Sequence, residues 1–277
     1  MRLGSPIFEK YESPEEWVSI LRRGGYRAAY CPVGPDAAPD RILAFAAAAA
    51  RADIVIAEVG AWSNPLSPDE EIRKSALDKC HKALALAEEI GARCCVNIAG
   101  SRGAKWDGPC AEDLTPDTFD RIVASVRDII DAVRPTRTFY TLEPMPWMYP
   151  DSAESYLDLI RAVDRPGFAV HFDPVNLIAS PERYFRNGAF VRDFVAKLGP
   201  HIRCVHAKDI LLQDKLTVHL DEVRPGLGTL DYRVLLGEVA RLPGDVPVLL
   251  EHLPKAEDYA AATEYVRSVA LEEGIGL

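Results

Sequence analysis

Short apolar, β-rich segments alternate with helix-forming segments along the whole of this chain. Eight such strands are predicted, at residues 2–8, 26–31, 54–60, 93–98, 138–143, 168–173, 202–206 and 246–251. Capping signals mark helix starts between them: in Ser13-Pro14-Glu15-Glu16, a capping serine precedes a first-turn proline and two acids. Eight strand-helix units in 277 residues take about 35 residues each, close to the roughly 31 of a 250-residue eightfold barrel.

This alternation predicts an α/β protein with the (β/α)8 TIM-barrel fold, formed by residues 1–277 as a single domain. A doubly wound open sheet also alternates strands and helices, but the GxGxxG motif that usually follows its first strand is missing. A longer connection, 211–229, precedes a predicted helix at 230–242. No low-complexity linker interrupts the chain, which favours one domain over two.

Composition narrows the class of protein. Apolar residues make up 48% of the chain, enough for one large core, and 32 basic against 42 acidic residues give a net charge of −10. Such a charge repels a phosphate backbone, so nucleic acid is not an expected partner. With no signal-like or membrane-spanning apolar run, a cytoplasmic protein is expected. Six cysteines without CxxC spacing disfavour structural zinc and a disulfide framework.

Four of the predicted strands end in a residue type that binds metals. These are Glu143, Asp173, His206 and Glu251, at intervals of 30, 33 and 45 residues. In a barrel the strand ends converge on one mouth, where three carboxylates would repel one another unless a cation neutralises them. The set predicts one divalent cation, Mn²⁺ first, with Mg²⁺, Co²⁺ and Zn²⁺ as alternatives. Any one of the four, taken alone, could equally be a hydrogen-bonded structural residue.

Several short motifs surround these four residues. They are Leu142-Glu143-Pro144, Phe172-Asp173-Pro174-Val175-Asn176, Val205-His206-Ala207-Lys208-Asp209, Arg224-Pro225-Gly226-Leu227-Gly228-Thr229-Leu230-Asp231-Tyr232 and Leu250-Glu251-His252. Together they resemble the xylose-isomerase-like TIM-barrel superfamily of sugar and sugar-phosphate isomerases and epimerases, which includes ketose 3-epimerases and inosose dehydratase. The resemblance implies that the four residues are the metal ligands. It also implies that Glu143 and Glu251 form the acid/base pair flanking the substrate carbon.

The chain departs from the ketose 3-epimerase pattern at two positions. Asn176 stands where those enzymes have a histidine, three residues after the metal aspartate, and Tyr149 stands where they have a glutamate. Both family residues contact substrate oxygens, so the resemblance does not carry ketohexose recognition over at these two positions. Arg224 matches the family's substrate-contacting arginine, and Asn176 is kept as a substrate-binding candidate.

Other residues near these motifs are candidates with an ordinary alternative. Lys208 lies two after His206 and so faces the same side, as an electrostatic stabiliser or as the partner of an acid. His171, two before Asp173, is expected to support a ligand from one layer deeper, or to be a core histidine. Three loop residues are substrate-binding candidates: Trp62 and Trp106 could stack on a sugar or simply pack, and Arg102 could hold an anionic group or be solvated.

These observations predict a metal-dependent isomerase or epimerase of a keto-sugar or sugar derivative, acting through an enediolate. A lyase or dehydratase is the alternative, because the same enediolate can expel a β-hydroxyl. A multi-zinc endonuclease-type phosphodiesterase would need further His and acidic ligands on the early strands, and a non-catalytic sugar-binding protein would not need so many acids at one point. The expected partner is a small-molecule carbohydrate. Its identity and phosphorylation, and whether the chain forms a homo-oligomer, stay open.

Overall fold

The computed structural model describes residues 1–277, and eight parallel strands close into a barrel at its centre. The barrel strands are β1 (Arg2–Gly4), β2 (Ala28–Tyr30), β3 (Val55–Gly60), β4 (Cys94–Asn97), β5 (Tyr140–Leu142), β6 (Phe168–Phe172), β7 (Ile202–Ala207) and, after the short pair β8 (Asp209–Leu212) and β9 (Leu220–Val223), β10 (Pro247–Leu250). Around the barrel each strand pairs with its neighbours in chain order, and β10 closes the ring between β7 and β1. The eightfold barrel prediction is confirmed.

Helices cover the outside of the barrel. They are α1 (Pro14–Arg23), α2 (Pro39–Ala52), α3 (Glu70–Ile90), α4 (Pro116–Val133), α5 (Ala153–Val163), α6 (Pro174–Leu177), α7 (Pro181–Phe185), α8 (Asn187–Leu198), α9 (Tyr232–Ala240) and α10 (Ala256–Glu272). The predicted helix cap at Ser13 is present. The Ser13 side chain accepts a hydrogen bond from the Glu16 backbone N–H, and the Glu16 side chain accepts one from the Ser13 backbone N–H. None of these helices combines the length and apolarity that crossing a membrane would require.

Side-chain alternation along β7 shows how the barrel is layered. Val205 and Ala207 point outward into the core shared with the helices, while Cys204 and His206 point inward. The lower interior is filled by five small or aliphatic residues: Ala28, Ala57, Cys94, Cys204 and Leu249. Because this floor is packed, polar side chains that point inward can collect only above it, at the carboxyl ends of the strands. All six cysteines are free thiols.

The connection that was predicted to run from 211 to 229 contains structure of its own. Residues 209–212 and 220–223 form an antiparallel hairpin, with Asp209 opposite Val223 and Leu212 opposite Leu220. Upstream, the predicted strand at 2–8 ends at Gly4. Pro6 follows shortly afterwards and has no N–H to continue the parallel ladder, which accounts for the early end.

Asp209 anchors the loop that follows this hairpin. Its buried carboxylate accepts hydrogen bonds from the backbone N–H groups of Ile210, Gly226, Gly228 and Leu230, at 2.9 to 3.1 Å. Gly228 permits this approach, since a Cβ there would lie 2.3 Å from Asp209 Oδ1. The carboxylate therefore substitutes for the backbone partners that an irregular loop lacks.

We expect Asp209→Asn to destabilise the protein by roughly 1–3 kcal/mol, because one oxygen becomes a donor and leaves buried N–H groups unpaired. Urea unfolding would measure the change. Asp214→Asn, an exposed acid in the same hairpin, is the matched control. Equal stabilities for the two variants would contradict the anchoring role.

Candidate active site

Four side chains meet at the mouth of the barrel. Glu143, Asp173 and Glu251 each follow the last residue of a strand, and His206 lies near the end of β7. Ligand-type atoms of the four lie within 4.8 Å of one another. His206 Nδ1 is 3.2 Å from Glu143 Oε1 and 2.9 Å from Glu251 Oε2. The structure therefore brings together all four residues that the sequence singles out as metal ligands.

Lys208 lies among the same carboxylates. Its Nζ is 2.8 Å from Asp173 Oδ2 and 2.9 Å from Glu251 Oε2, and 3.6 Å from Glu143 Oε1. Burial would lower the Lys208 pKa, but Asp173 and the two glutamates raise it well above its usual value. Lys208 is therefore a buried ammonium ion. Of the two roles considered from the sequence, the pairing with nearby acids is present in the structure.

The donor set fits a divalent cation. Asp173 uses Oδ1 to accept from the N–H groups of Val175 and Asn176. Its buried Oδ2 contacts Lys208, and Glu251 Oε2 contacts Lys208 and His206. With all three carboxylates ionised, they and the Lys208 ammonium carry a net charge of −2, and a histidine that binds a metal is neutral. A dication would neutralise that charge, and the oxygen-rich set with one nitrogen suits Mn²⁺ or Mg²⁺.

Glu58 is a buried acid in this region that the sequence reasoning missed. It lies on β3, and its Oε2 is 2.8 Å from His171 Nε2 and 3.2 Å from His206 Nε2. The His171 ring also contacts that of His206, with ring centroids 4.1 Å apart. The signal was present: Glu58 is an ionisable residue inside an otherwise apolar strand, where a buried charge requires a partner.

The two histidines also determine the ionisation of Glu58. Burial would raise the Glu58 pKa, but His206 and His171 lower it from 4.5 to about 2. A depressed folded-state pKa means that the pairing stabilises the fold above pH 4.5 and that this stability is lost as pH falls toward 2.

We expect the wild type to exceed Glu58→Gln in free energy of unfolding by on the order of 3 kcal/mol near pH 6. Because the glutamine cannot titrate, the difference should shrink as pH falls from 4.5 toward 2. Urea unfolding of both proteins in chelator, between pH 2.5 and 6, measures it. A difference that does not change with pH would be inconsistent with an ionised Glu58.

A cavity of about 250 Å³ opens above the four side chains. Glu143 and Glu251 line it together with Trp62, Trp106, Asp107, Met145, Asn176 and His252. Asn176 donates from Nδ2 to Glu143 Oε1 at 3.2 Å. A larger depression of about 590 Å³ lies between α1 and α2, but it brings no set of ligands together.

His252 belongs to the wall of this cavity, although the sequence assigned it no role. Its side chain is half exposed, and its Nδ1 and Nε2 are each 3.2 Å from a carboxylate, Glu222 and Glu251 respectively. Glu222 comes from β9, so the hairpin contributes to the mouth. A backbone φ of +58° at His252 turns the chain sharply after Glu251.

Two of the proposed substrate contacts do not line the cavity. The Arg102 guanidinium is 2.7 Å from Asp117 Oδ2 and is thus engaged at the surface. Arg224, in the loop anchored by Asp209, has its Nε 3.9 Å from Asp258 Oδ1 on α10. Tyr149 also packs away from the cavity, with its ring edge against Phe119. Trp62, Trp106 and Asn176, in contrast, line the cavity.

Comparisons with known proteins agree with this architecture. A family model described as xylose isomerase-like TIM barrel matches residues 19–269. A search of curated proteins gives no significant match. Among solved structures, the D-psicose 3-epimerase from Clostridium cellulolyticum H10, solved with D-tagatose, aligns over 97% of this chain and 99% of its own at 15% identity and a TM-score of 0.70.

Two further structures align over nearly the whole chain. A xylose isomerase-like TIM barrel protein from Mycobacterium smegmatis, solved with magnesium, aligns over 95% of this chain and 90% of its own at 18% identity and a TM-score of 0.66. The probable 3-DHS dehydratase from Bacillus anthracis aligns over 95% of both chains at 16% identity and a TM-score of 0.67. At these identities the matches establish a shared fold.

Proposed function

Because the chain belongs to the xylose isomerase-like TIM barrel family, we propose that it is a divalent-metal-dependent isomerase or epimerase of a small keto-sugar. The observation that carries this proposal is the pair Glu143 and Glu251. Their oxygens lie within 4.8 Å of each other, and both side chains line the same cavity. Two carboxylates so placed can remove a proton from a carbon held between them and return it.

Glu143, Asp173, His206 and Glu251 would hold the cation. When bound, it supplies polarisation of the substrate carbonyl and stabilisation of the negative charge that develops on the substrate oxygens. One glutamate, ionised, accepts the proton from the carbon next to the carbonyl, and the other, which carries a proton at this stage, donates it to the opposite face of the resulting enediolate. The two glutamates thereby exchange protonation states, and proton exchange with solvent restores them. Lys208 holds the Asp173 and Glu251 carboxylates and limits their mutual repulsion.

The cavity also supports a particular kind of substrate. Its volume of about 250 Å³ lies just below the ~300–1,000 Å³ of pockets for drug-sized ligands, which suits a single sugar unit. Trp62 and Trp106 offer apolar faces for ring carbons, and Asp107, Asn176 and His252 offer groups for hydroxyls. No lysine or arginine lines it, and Arg102 is paired elsewhere. We therefore propose an uncharged keto-sugar over a phosphorylated one.

A dehydratase acting on a keto-sugar or inosose is the second candidate. The structural likeness to the probable 3-DHS dehydratase favours it. On the proposed mechanism, both reactions begin with removal of the proton next to the carbonyl. A multi-zinc enzyme is less well supported, because the residues that could hold an ion form only two groups and these share His206.

Solvent exchange tests the proposal. Mn²⁺-loaded protein is incubated in D₂O with D-psicose, D-tagatose, D-fructose, their phosphates, an inosose and 3-DHS, and the products are read by NMR and mass spectrometry. An isomerase or epimerase returns a sugar whose mass changes only by deuterium next to the carbonyl. A dehydratase gives a product lighter by one water, and turnover without any exchange would refute both.

A further inference from the structure

One oxygen of Glu58 contacts both histidines of the barrel interior. Glu58 is 2% exposed and His171 and His206 are fully buried, so water does not reach the contacts. Glu58 Oε2 lies 2.8 Å from His171 Nε2 and 3.2 Å from His206 Nε2. The other ring nitrogen of His206 faces the carboxylates of Glu143 and Glu251. His206 thus lies between acids on two sides.

Metal binding requires a neutral imidazole, which has a single N–H, and the acids on the two sides compete for that proton. If Nδ1 carries the proton, it donates to Glu251 at 2.9 Å and has no lone pair for a metal. If Nε2 carries it, Glu58 accepts and the Nδ1 lone pair faces Glu143, Asp173 and Glu251. Only the second arrangement makes His206 a ligand together with those three carboxylates.

We propose that Glu58 is a positioning residue that holds the His206 proton on Nε2 and thereby presents Nδ1 to a divalent cation. His171 fixes the Glu58 carboxylate from the other side. Burial of a carboxylate is costly, and an apolar side chain at this place would pack against Cys204 and its neighbours without that cost. Carboxylates that accept the N–H on the ring nitrogen that does not bind the metal generally raise metal affinity by orienting the ring. The inference rests on the cation site of the proposed function but not on the reaction.

Metal affinity in a double-mutant cycle tests this role. Mn²⁺ binding is measured by calorimetry for the wild type, Glu58→Gln, His206→Gln and the double variant. We expect Glu58→Gln to weaken Mn²⁺ binding about 10–100-fold in the wild-type background, and less than about threefold when His206 is already absent. We also expect the absorption spectrum of bound Co²⁺ to differ between the wild type and Glu58→Gln. It should not differ between His206→Gln and the double variant, because neither has the His206 nitrogen ligand.

Two further variants separate positioning from a simple charge effect. Glu58→Asp keeps the charge but shortens the side chain, so we expect it to weaken binding as Glu58→Gln does. Glu222→Gln removes an acid that is 3.7 Å from Lys208 and contacts His252 but not His206. We expect this variant to lose less Mn²⁺ affinity than Glu58→Gln, and to lose the same amount with or without His206. If Glu58→Gln does not fold, Glu58→Asp takes its place in the cycle.

Each outcome decides a different point. Equal losses with and without His206, or full affinity in Glu58→Asp, would overturn the positioning role while leaving the cation site intact. Absence of specific Mn²⁺ binding to the wild type would overturn both this inference and the proposed function. Coupled losses in a protein that exchanges no proton with any sugar would support the inference and refute the isomerase.

Discussion

Glu251→Gln is expected to lower turnover on a keto-sugar substrate by about 10²–10⁴-fold while the protein folds normally. Glutamine keeps the shape of the side chain and one ligand oxygen but cannot take a proton at neutral pH. Glu143→Gln should have a loss in the same range, since the mechanism uses both carboxylates. Turnover and solvent exchange are measured together at saturating Mn²⁺, so that weaker metal binding is not mistaken for lost chemistry.

Glu257→Gln is the matched control for Glu251→Gln, because Glu257 is an exposed acid in the first turn of α10. It should retain wild-type turnover. Full activity in Glu251→Gln would rule out the two-glutamate mechanism and leave only the cation site to be explained.

Lys208→Met is expected to destabilise the metal-free protein by about 3–5 kcal/mol, the usual cost of leaving a buried charge without its partner. Lys208 is 1% exposed and contacts Asp173 and Glu251 at 2.8 and 2.9 Å. Without its ammonium group, Glu143, Asp173 and Glu251 remain close together and lose the lysine that neutralises part of their charge. A bound dication would replace the missing positive charge, so Mn²⁺ should raise the thermal midpoint of Lys208→Met more than that of the wild type.

Urea unfolding in chelator, and thermal unfolding with and without Mn²⁺, measure both effects. Lys82→Met removes an exposed ion pair with Asp78 and should change little. If Lys208→Met equals the wild type in chelator and responds identically to Mn²⁺, then Lys208 does not neutralise the carboxylates. Purification in Mn²⁺, followed by its removal, allows the comparison even if the metal-free variant unfolds.

Local patterns were sufficient to predict the barrel and its four strand-end residues. Strand periodicity and helix caps act within a few residues, and eight such units leave few closed arrangements other than a (β/α)8 barrel. Since all parallel strands end at one rim, Glu143, Asp173, His206 and Glu251 had to converge. The two-residue period along β7 likewise placed Lys208 on the same side as His206.

Tertiary structure decided the contacts between groups far apart in the chain. Glu58 is 113 residues from His171 and 148 from His206, and only the closure of the barrel brings them within hydrogen-bonding distance. The pairing of β8 with β9 brings Glu222 to His252. Arg102 shows the converse: its partner Asp117 lies 15 residues further on, at a helix start, and draws it away from the cavity. A charged residue type predicts that a partner is required, but only the folded chain determines which group supplies it.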